Sequence, residues 1–238
     1  MACELSFFLD SSPLSPQMAR YASACVVLAL EKLHGELSAV YRNLSPDAVT
    51  VDEEGVICLI DFRLAKSLAT TDKTYTLCGT PDYLSPEQVT CAGHDSSADL
   101  WGLGVLLWEV SAGEGPWGTD ANEMNTYKKI TDHTAGGLTK PGHFEPELGE
   151  AIDALLAPDP KARLGAQGFD ALKALPWFSE INWAKLQEGA VPSPLAQAAV
   201  THMRSQLSAS AGRPGDAALT ELAGTTEFTG DSSWFADY

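Results

Sequence analysis

Basic residues are scarce in this chain. Its 238 residues hold 15 Lys and Arg against 32 Asp and Glu, a formal charge of −17. That imbalance argues against nucleic acid and anionic membrane surfaces as general partners, because both would repel it. Basic proteins and basic peptides are the partners that electrostatics favours, unless the charge only keeps the surface soluble. Long apolar runs are lacking too. None reaches the roughly 18–20 residues needed to span a bilayer, and the longest, around Ala24–Leu30 and Leu100–Trp108, read as buried helices. The first residues, Met1 to Glu4, carry no basic stretch, so no signal peptide is read. The five cysteines (Cys3, Cys25, Cys58, Cys78, Cys91) are scattered and never form C-x-x-C. They fit reduced thiols in a cytoplasmic protein better than a disulfide framework or a zinc site. The five histidines are equally dispersed, so no metal-ligand cluster is expected.

The length suits one sizeable domain followed by a tail. A hydrophobic fraction of 45% is enough to bury a core without disulfides or metal. Ser15-Pro16 predicts a helix start, with Ser as the cap and Pro at the first helical position. Apolar residues then recur at helical spacing from Met18 to Leu33, and Gly35 ends the run. Val49–Val51 and Val56–Ile60 flank Asp52-Glu53-Glu54-Gly55, which predicts a small β-hairpin. From Asp61 to Gly93 periodicity is weak and Thr, Pro and Gly abound, so a long ordered loop is expected. Ser97 is read as the cap of a second apolar helix running to about Val110. Further helices are expected near Ala121–Ile130, Pro146–Leu156 and Phe169–Leu175. From about Ala190 the chain is rich in Ala, Ser, Gly, Pro and Thr, which predicts a poorly ordered tail.

Several motifs follow one another in a fixed order. They are "LHGELSAVYRNLSPDAV", "LIDFRLAKSL", "TYTLCGTPDYLSPEQV", "HDSSADLWGLGVLLWEVSAGEGPW", "DPKARLGA" and "PWFSEINWAKLQEG". Over about Cys3 to Leu186 this series resembles the large, C-terminal lobe of a eukaryotic Ser/Thr protein kinase of the AGC group. It is most similar to the cyclic-nucleotide-dependent kinases, the cGMP-dependent branch above all, whose C-terminal end "SSWFADY" also resembles. The resemblance implies a mainly α fold: a helical body with a small β-hairpin over residues 1–186, and an AGC-type, largely irregular tail over residues 187–238. It implies that Asp99, helped by His34, holds the catalytic-loop backbone, and that Glu87 pairs with a buried Arg163. The segment "GLGVLL" (Gly102–Leu107) mimics a phosphate loop but lies inside an apolar helix.

The resemblance also shows what chemistry is gone. Where the family places the carboxylate that accepts the substrate proton, this chain has Asn43, and an amide is no base near neutral pH. The lysine two positions on is Ser45, and the amide that holds a second magnesium is Ala48. Asp61 keeps the metal-binding carboxylate of the D-F-G segment, but the glycine after Phe62 is Arg63. Either the Arg63 guanidinium sits by Asp61 in place of a metal ion, or it is simply solvated. No G-x-G-x-x-G loop with a V-A-x-K strand precedes this region, so the small ATP-gripping lobe is read as absent. Glu4 matches the acidic residue after the hinge, and Thr50 the residue that floors adenine.

Two surfaces remain as candidates. Thr76 matches the activation-loop phosphothreonine, with Arg42 and Lys66 as its cations. A plain, unmodified Thr is the alternative, and modification would require another, active kinase. Glu4, Asp47 and Glu109 match residues that hold basic side chains of a peptide, or belong to an ordinary acidic surface. The expectation is a catalytically inactive, pseudokinase-like fragment that acts by binding proteins or basic peptides and needs no cofactor. The alternative is a Ser/Thr kinase using ATP and magnesium, with Glu4 and Asp61 as its remaining nucleotide and metal contacts.

Overall fold

The computed structural model describes residues 2–9, 12–119 and 122–210. The aromatic end of the chain (Phe228, Trp234, Phe235, Tyr238) lies outside the described residues. In chain order the elements are β1 (Ala2–Glu4), α1 (Ser6–Leu9), α2 (Pro16–Gly35), β2 (Ala39–Val40), β3 (Val49–Asp52), β4 (Ile57–Leu59), β5 (Lys66–Ser67), α3 (Pro86–Val89), α4 (Ser97–Ala112), α5 (Glu123–Asp132), α6 (Pro146–Leu155), α7 (Asp170–Lys173), α8 (Trp183–Gln187) and α9 (Ala196–Ser210). The body is helical, as the apolar periodicity predicts.

Helices α2 and α4 form its centre. Ser15 caps α2 as expected: its Oγ accepts the Met18 N–H at 3.3 Å, and Pro16 follows. The face of α2 carrying Ala19, Val26, Val27, Leu30 and Leu33 is buried. Helix α4 is buried at every residue but Glu109 and Ala112, so its sequence is apolar all round, as a central helix requires. A Cβ on Gly104 would lie 2.9 Å from Leu155 Cβ, so the glycine there lets α6 approach α4 closely. The start of α4 corrects the sequence reading. Ser97 is the first helical residue rather than the cap, and Asp95 Oδ1 accepts its N–H at 2.9 Å and its hydroxyl at 2.6 Å.

The expected hairpin is β3–β4, with Thr50 opposite Cys58. Strand β1 adds to it, with Glu4 opposite Thr50, giving the antiparallel order β1–β3–β4. Val49 and Val51 point into the core. Cross-strand partners share a face, so Glu4, Thr50 and Cys58 form a row on the other one. A second, two-stranded sheet pairs β2 with β5, Val40 opposite Lys66. It clamps together the two loops that matter below.

The stretch expected to be irregular from about Ala190 is so over residues 190–195 and then forms a helix, α9. Helix α9 packs on β1 and β3, with Leu195, Ala199 and Met203 buried in the core. The His202 ring packs tilted against Phe7, with ring centroids 5.0 Å apart. Among the described residues no helix is long and apolar enough to cross a membrane.

Candidate catalytic cleft

The site is built on a carboxylate. Asp99, in the first turn of α4, is 2% exposed. Its Oδ1 accepts the Arg42 N–H at 2.8 Å, and its Oδ2 accepts the Tyr41 N–H at 2.7 Å. His34, near the end of α2, places its Nε2 2.7 Å from the same Oδ2. Three elements are thus tied at one point, the arrangement expected of Asp99 and His34. The price is local: Arg42 takes a left-handed backbone, φ 63°. Gly79 packs against it, and a Cβ there would come within 2.6 Å of the Arg42 carbonyl oxygen. Below the loop, Tyr41 is buried, donates its hydroxyl to the Ile60 carbonyl and packs edge-on to Phe62 at 5.2 Å. Burial drives its phenol far above the ordinary range.

This frame brings Asn43, Asp61 and Arg63 together. Asn43 Nδ2 donates to the Asp61 carbonyl at 3.2 Å. Asp61 is left-handed, φ 56°, and caps the turn Phe62–Leu64. Arg63 therefore has no special backbone demand: the left-handed conformation falls on Asp61, two residues earlier. The Arg63 guanidinium turns back onto that carboxylate as a fork, Nε to Oδ1 at 2.6 Å and Nη2 to Oδ2 at 2.8 Å. Parallel N–H···O bonds of this kind fix the geometry of such a pair, but the Arg63 side chain is 86% exposed, so water screens the attraction. The arginine's hydrogen bonds hold the Asp61 carboxyl down at about 2, well below the usual carboxylate range. Ser45 and Ala48 lie buried beside this group, at 5% and 4% exposure, with the Ala48 carbonyl taken by the Ile60 N–H at 3.0 Å.

A magnesium ion with its nucleotide fits these residues poorly. It needs several oxygens in octahedral array. Both oxygens of Asp61 are engaged by Arg63, Ala48 offers no side-chain oxygen, and Asn43 turns its NH₂ toward a carbonyl. Among the described residues no cluster of three or more His, Cys, Asp or Glu could hold a metal ion. Glu4 and Thr50, the other expected nucleotide contacts, stand opposite one another on β1 and β3.

The activation segment departs from expectation. Thr76 is exposed, and the two cations expected around it hold Thr74 instead. Arg42 Nη1 donates to Thr74 Oγ1 at 3.2 Å, and Lys66 Nζ does so at 3.3 Å. Thr74 is 1% exposed and exchanges two backbone hydrogen bonds with His94, at 2.9 and 2.8 Å. The His94 imidazole is buried, and burial together with the Arg42 charge lowers its pKa. Neither residue stands out in the sequence; only the bridge between them marks the pair.

Of the expected acidic patch, Asp47 and Glu109 share one field, while Glu4 sits on β1. Glu109 Oε2 accepts the Tyr83 hydroxyl at 2.6 Å. Burial, with the nearby charges of Asp82 and Asp47, raises its pKa against the lowering effect of that bond. Asp82, which sequence reasoning missed, is raised by burial as well. Asp82, Glu109 and Glu114 line an open cavity of about 620 Å³. The remaining expected pair is present: Arg163 meets Glu87 through two buried bonds of 2.8 and 3.1 Å, and donates a third to the Ser97 carbonyl at 2.7 Å.

The family model described as protein kinase domain matches residues 2–178. "Protein kinase 2" of Dictyostelium discoideum is 40% identical over 171 residues, 72% of this chain and 34% of its own length. The cAMP-dependent protein kinase type 3 of Saccharomyces cerevisiae is 38% identical over 194 residues, 80% of this chain and 47% of its own. The human cGMP-dependent protein kinase 2 is 34% identical over 195 residues, 80% of this chain and 25% of its own. The chain thus spans between a quarter and a half of the length of these relatives, which include both cyclic-nucleotide-dependent kinds.

Proposed function

From the premise that the chain belongs to the protein kinase domain family, we propose that it is a member that has lost phosphoryl transfer and acts by binding. The observation that carries this reading is the Arg63 fork on Asp61, beside an Asn43 that has no proton-accepting carboxylate. The chain's own cation, on the surface of the cleft, stands where the family's chemistry needs a metal ion, and the losses at Asn43, Ser45 and Ala48 point the same way. What the chain keeps is structural: Asp99 with His34, and Glu87 with Arg163.

The acidic patch of Asp47, Asp82 and Glu109, on a chain of net charge −17, suits an Arg- or Lys-rich peptide or protein as partner. The free state of all five cysteines supports a reducing, cytoplasmic setting. Exposed Thr76 is a candidate acceptor for a second, active kinase. A phosphate there would compete with Thr74 for Arg42 and Lys66.

A second reading, a Ser/Thr kinase that uses ATP and magnesium, is favoured by the retained Asp61 carboxylate and by the names of the relatives. One experiment separates the two: thermal melting of the purified chain with ATP and magnesium, against EDTA and buffer. A ligand at about 100 times its Kd stabilises by about 2.7 kcal/mol. No shift is expected. A magnesium-dependent rise would sink the binding-only reading and favour the kinase.

A further inference from the structure

Away from the cleft, the start of α2, the end of α4 and the start of α6 enclose a cavity of about 70 Å³. Its walls include Pro13, Leu14, Phe144 and Leu148, and its polar lining comes from Ser111, His143, Glu145 and Trp177. Ser111 and Trp177 are buried, at 7% and 1% exposure. Five buried side-chain polar atoms among the described residues have no hydrogen-bond partner, and two of them, Ser111 Oγ and Trp177 Nε1, sit on residues that line this one cavity.

Their neighbours make this unusual. Elsewhere in the chain a helical hydroxyl satisfies itself on the carbonyl four residues back: Ser23 on Ala19 at 2.7 Å, Thr131 on Tyr127 at 3.0 Å. Ser111 makes no such bond. The indoles of Trp117 and Trp183 find carbonyl oxygens at 2.9 and 3.2 Å; those of Trp101 and Trp177 do not, and only Trp177 lines this cavity. A buried donor left unmade is costly, so such a group implies a partner. The frame around it is otherwise closed. The Leu14 N–H bonds the Val110 carbonyl at 2.8 Å, and His143 Nε2 lies 3.0 Å from the Ser111 carbonyl.

We propose that this cavity is a binding site for a small neutral molecule bearing a carbonyl or hydroxyl oxygen on a short apolar body. The oxygen accepts the Trp177 indole N–H and meets the Ser111 hydroxyl, while the carbon body lies against the apolar walls. The chemistry excludes other classes. An indole N–H can only donate, so the ligand must carry an acceptor. A carboxylate finds no unpaired cation: Arg20, which lies over the Trp177 ring at 4.5 Å, is already paired with Glu145 at 3.2 Å and with Glu180 at 2.5 Å. A dry cavity of about 150 Å³ takes benzene, so this one suits a body of roughly half that size.

The test uses the full chain labelled with ¹⁵N and acetone as the probe. The six tryptophans give separate indole signals, and Trp177→Phe assigns the one that matters. Acetone is expected to shift the Trp177 indole signal downfield and saturably, leaving the others in place. Isobutene, of the same shape without the oxygen, is expected to bind roughly two- to tenfold more weakly, the worth of one modest hydrogen bond. Ser111→Val fills the cavity and removes the hydroxyl, and is expected to abolish the response without lowering the melting temperature. If that variant fails to fold, Ser111→Ala is expected to weaken acetone several-fold. No acetone response, a long-lived water at the indole that acetone does not displace, or an unchanged response in the Ser111 variant would each overturn the proposal.

Discussion

At the scale of the residue, the pair that most shapes the cleft is Arg63 on Asp61. The fork holds the Asp61 carboxyl near 2. A depressed carboxyl contributes to stability above the ordinary Asp range and loses that contribution as pH falls toward 2. In Arg63→Ala the Asp61 titration midpoint, followed by carboxyl ¹³C NMR, is expected to rise toward the ordinary value of about 3.9. An unmoved midpoint would mean that the pair does not form. A second residue-scale expectation concerns the thiols. Burial pushes Cys25 up to about 12, whereas Cys58 and Cys91 are exposed. At pH 8, iodoacetamide is therefore expected to modify Cys58 and Cys91 well before Cys25, because only the thiolate reacts. Mass spectrometry of timed samples reads the order, and early labelling of Cys25 would contradict its burial.

At the scale of the element, Asp99 joins α2, α4 and the Tyr41–Ala48 loop. Asp99→Ala strands the N–H groups of Tyr41 and Arg42. Each buried, unmade donor costs about 1–3 kcal/mol, so a loss of about 2–6 kcal/mol is expected in urea unfolding. The elements themselves were mostly legible beforehand. Ser15-Pro16 and the apolar stripe marked α2, and the valines around Asp52–Gly55 marked the β3–β4 hairpin. The start of α4 was misplaced because both Ser96 and Ser97 suit a cap, and the bond that decides comes from the Asp95 side chain. The strands β1, β2 and β5 have three, two and two residues, too few for any period to show. They exist because partners distant in sequence offer them hydrogen bonds.

At the scale of the whole molecule, α9 is the main surprise. Its composition of Ala, Ser and Thr suggested a tail, yet Leu195, just ahead of the helix, and Ala199 and Met203 on it stand four residues apart and turn one stripe into the core. Composition hid that stripe, because the other residues are small and polar. Leu195 is fully buried, so Leu195→Ala is expected to cost about 2–5 kcal/mol through lost contact and a residual cavity. Guanidinium unfolding measures it, and a loss under 1 kcal/mol would mean that α9 is only loosely attached.

The sequence by itself determined the family frame, the two central helices and the absence of a base at Asn43. Each of these rests on residue chemistry or on periodicity within a short stretch. Tertiary structure alone decided which groups face one another. Asp99 reaches the Tyr41 N–H across 58 residues, and Arg42 and Lys66 close on Thr74 rather than Thr76. Arg63 was expected either to turn onto Asp61 or to point into water, and in the folded chain it forks onto Asp61 while its side chain stays 86% exposed. The reason is physical. A local pattern shows what a residue can offer, but a hydrogen bond needs two groups within about 3 Å, and only the packed chain sets that distance.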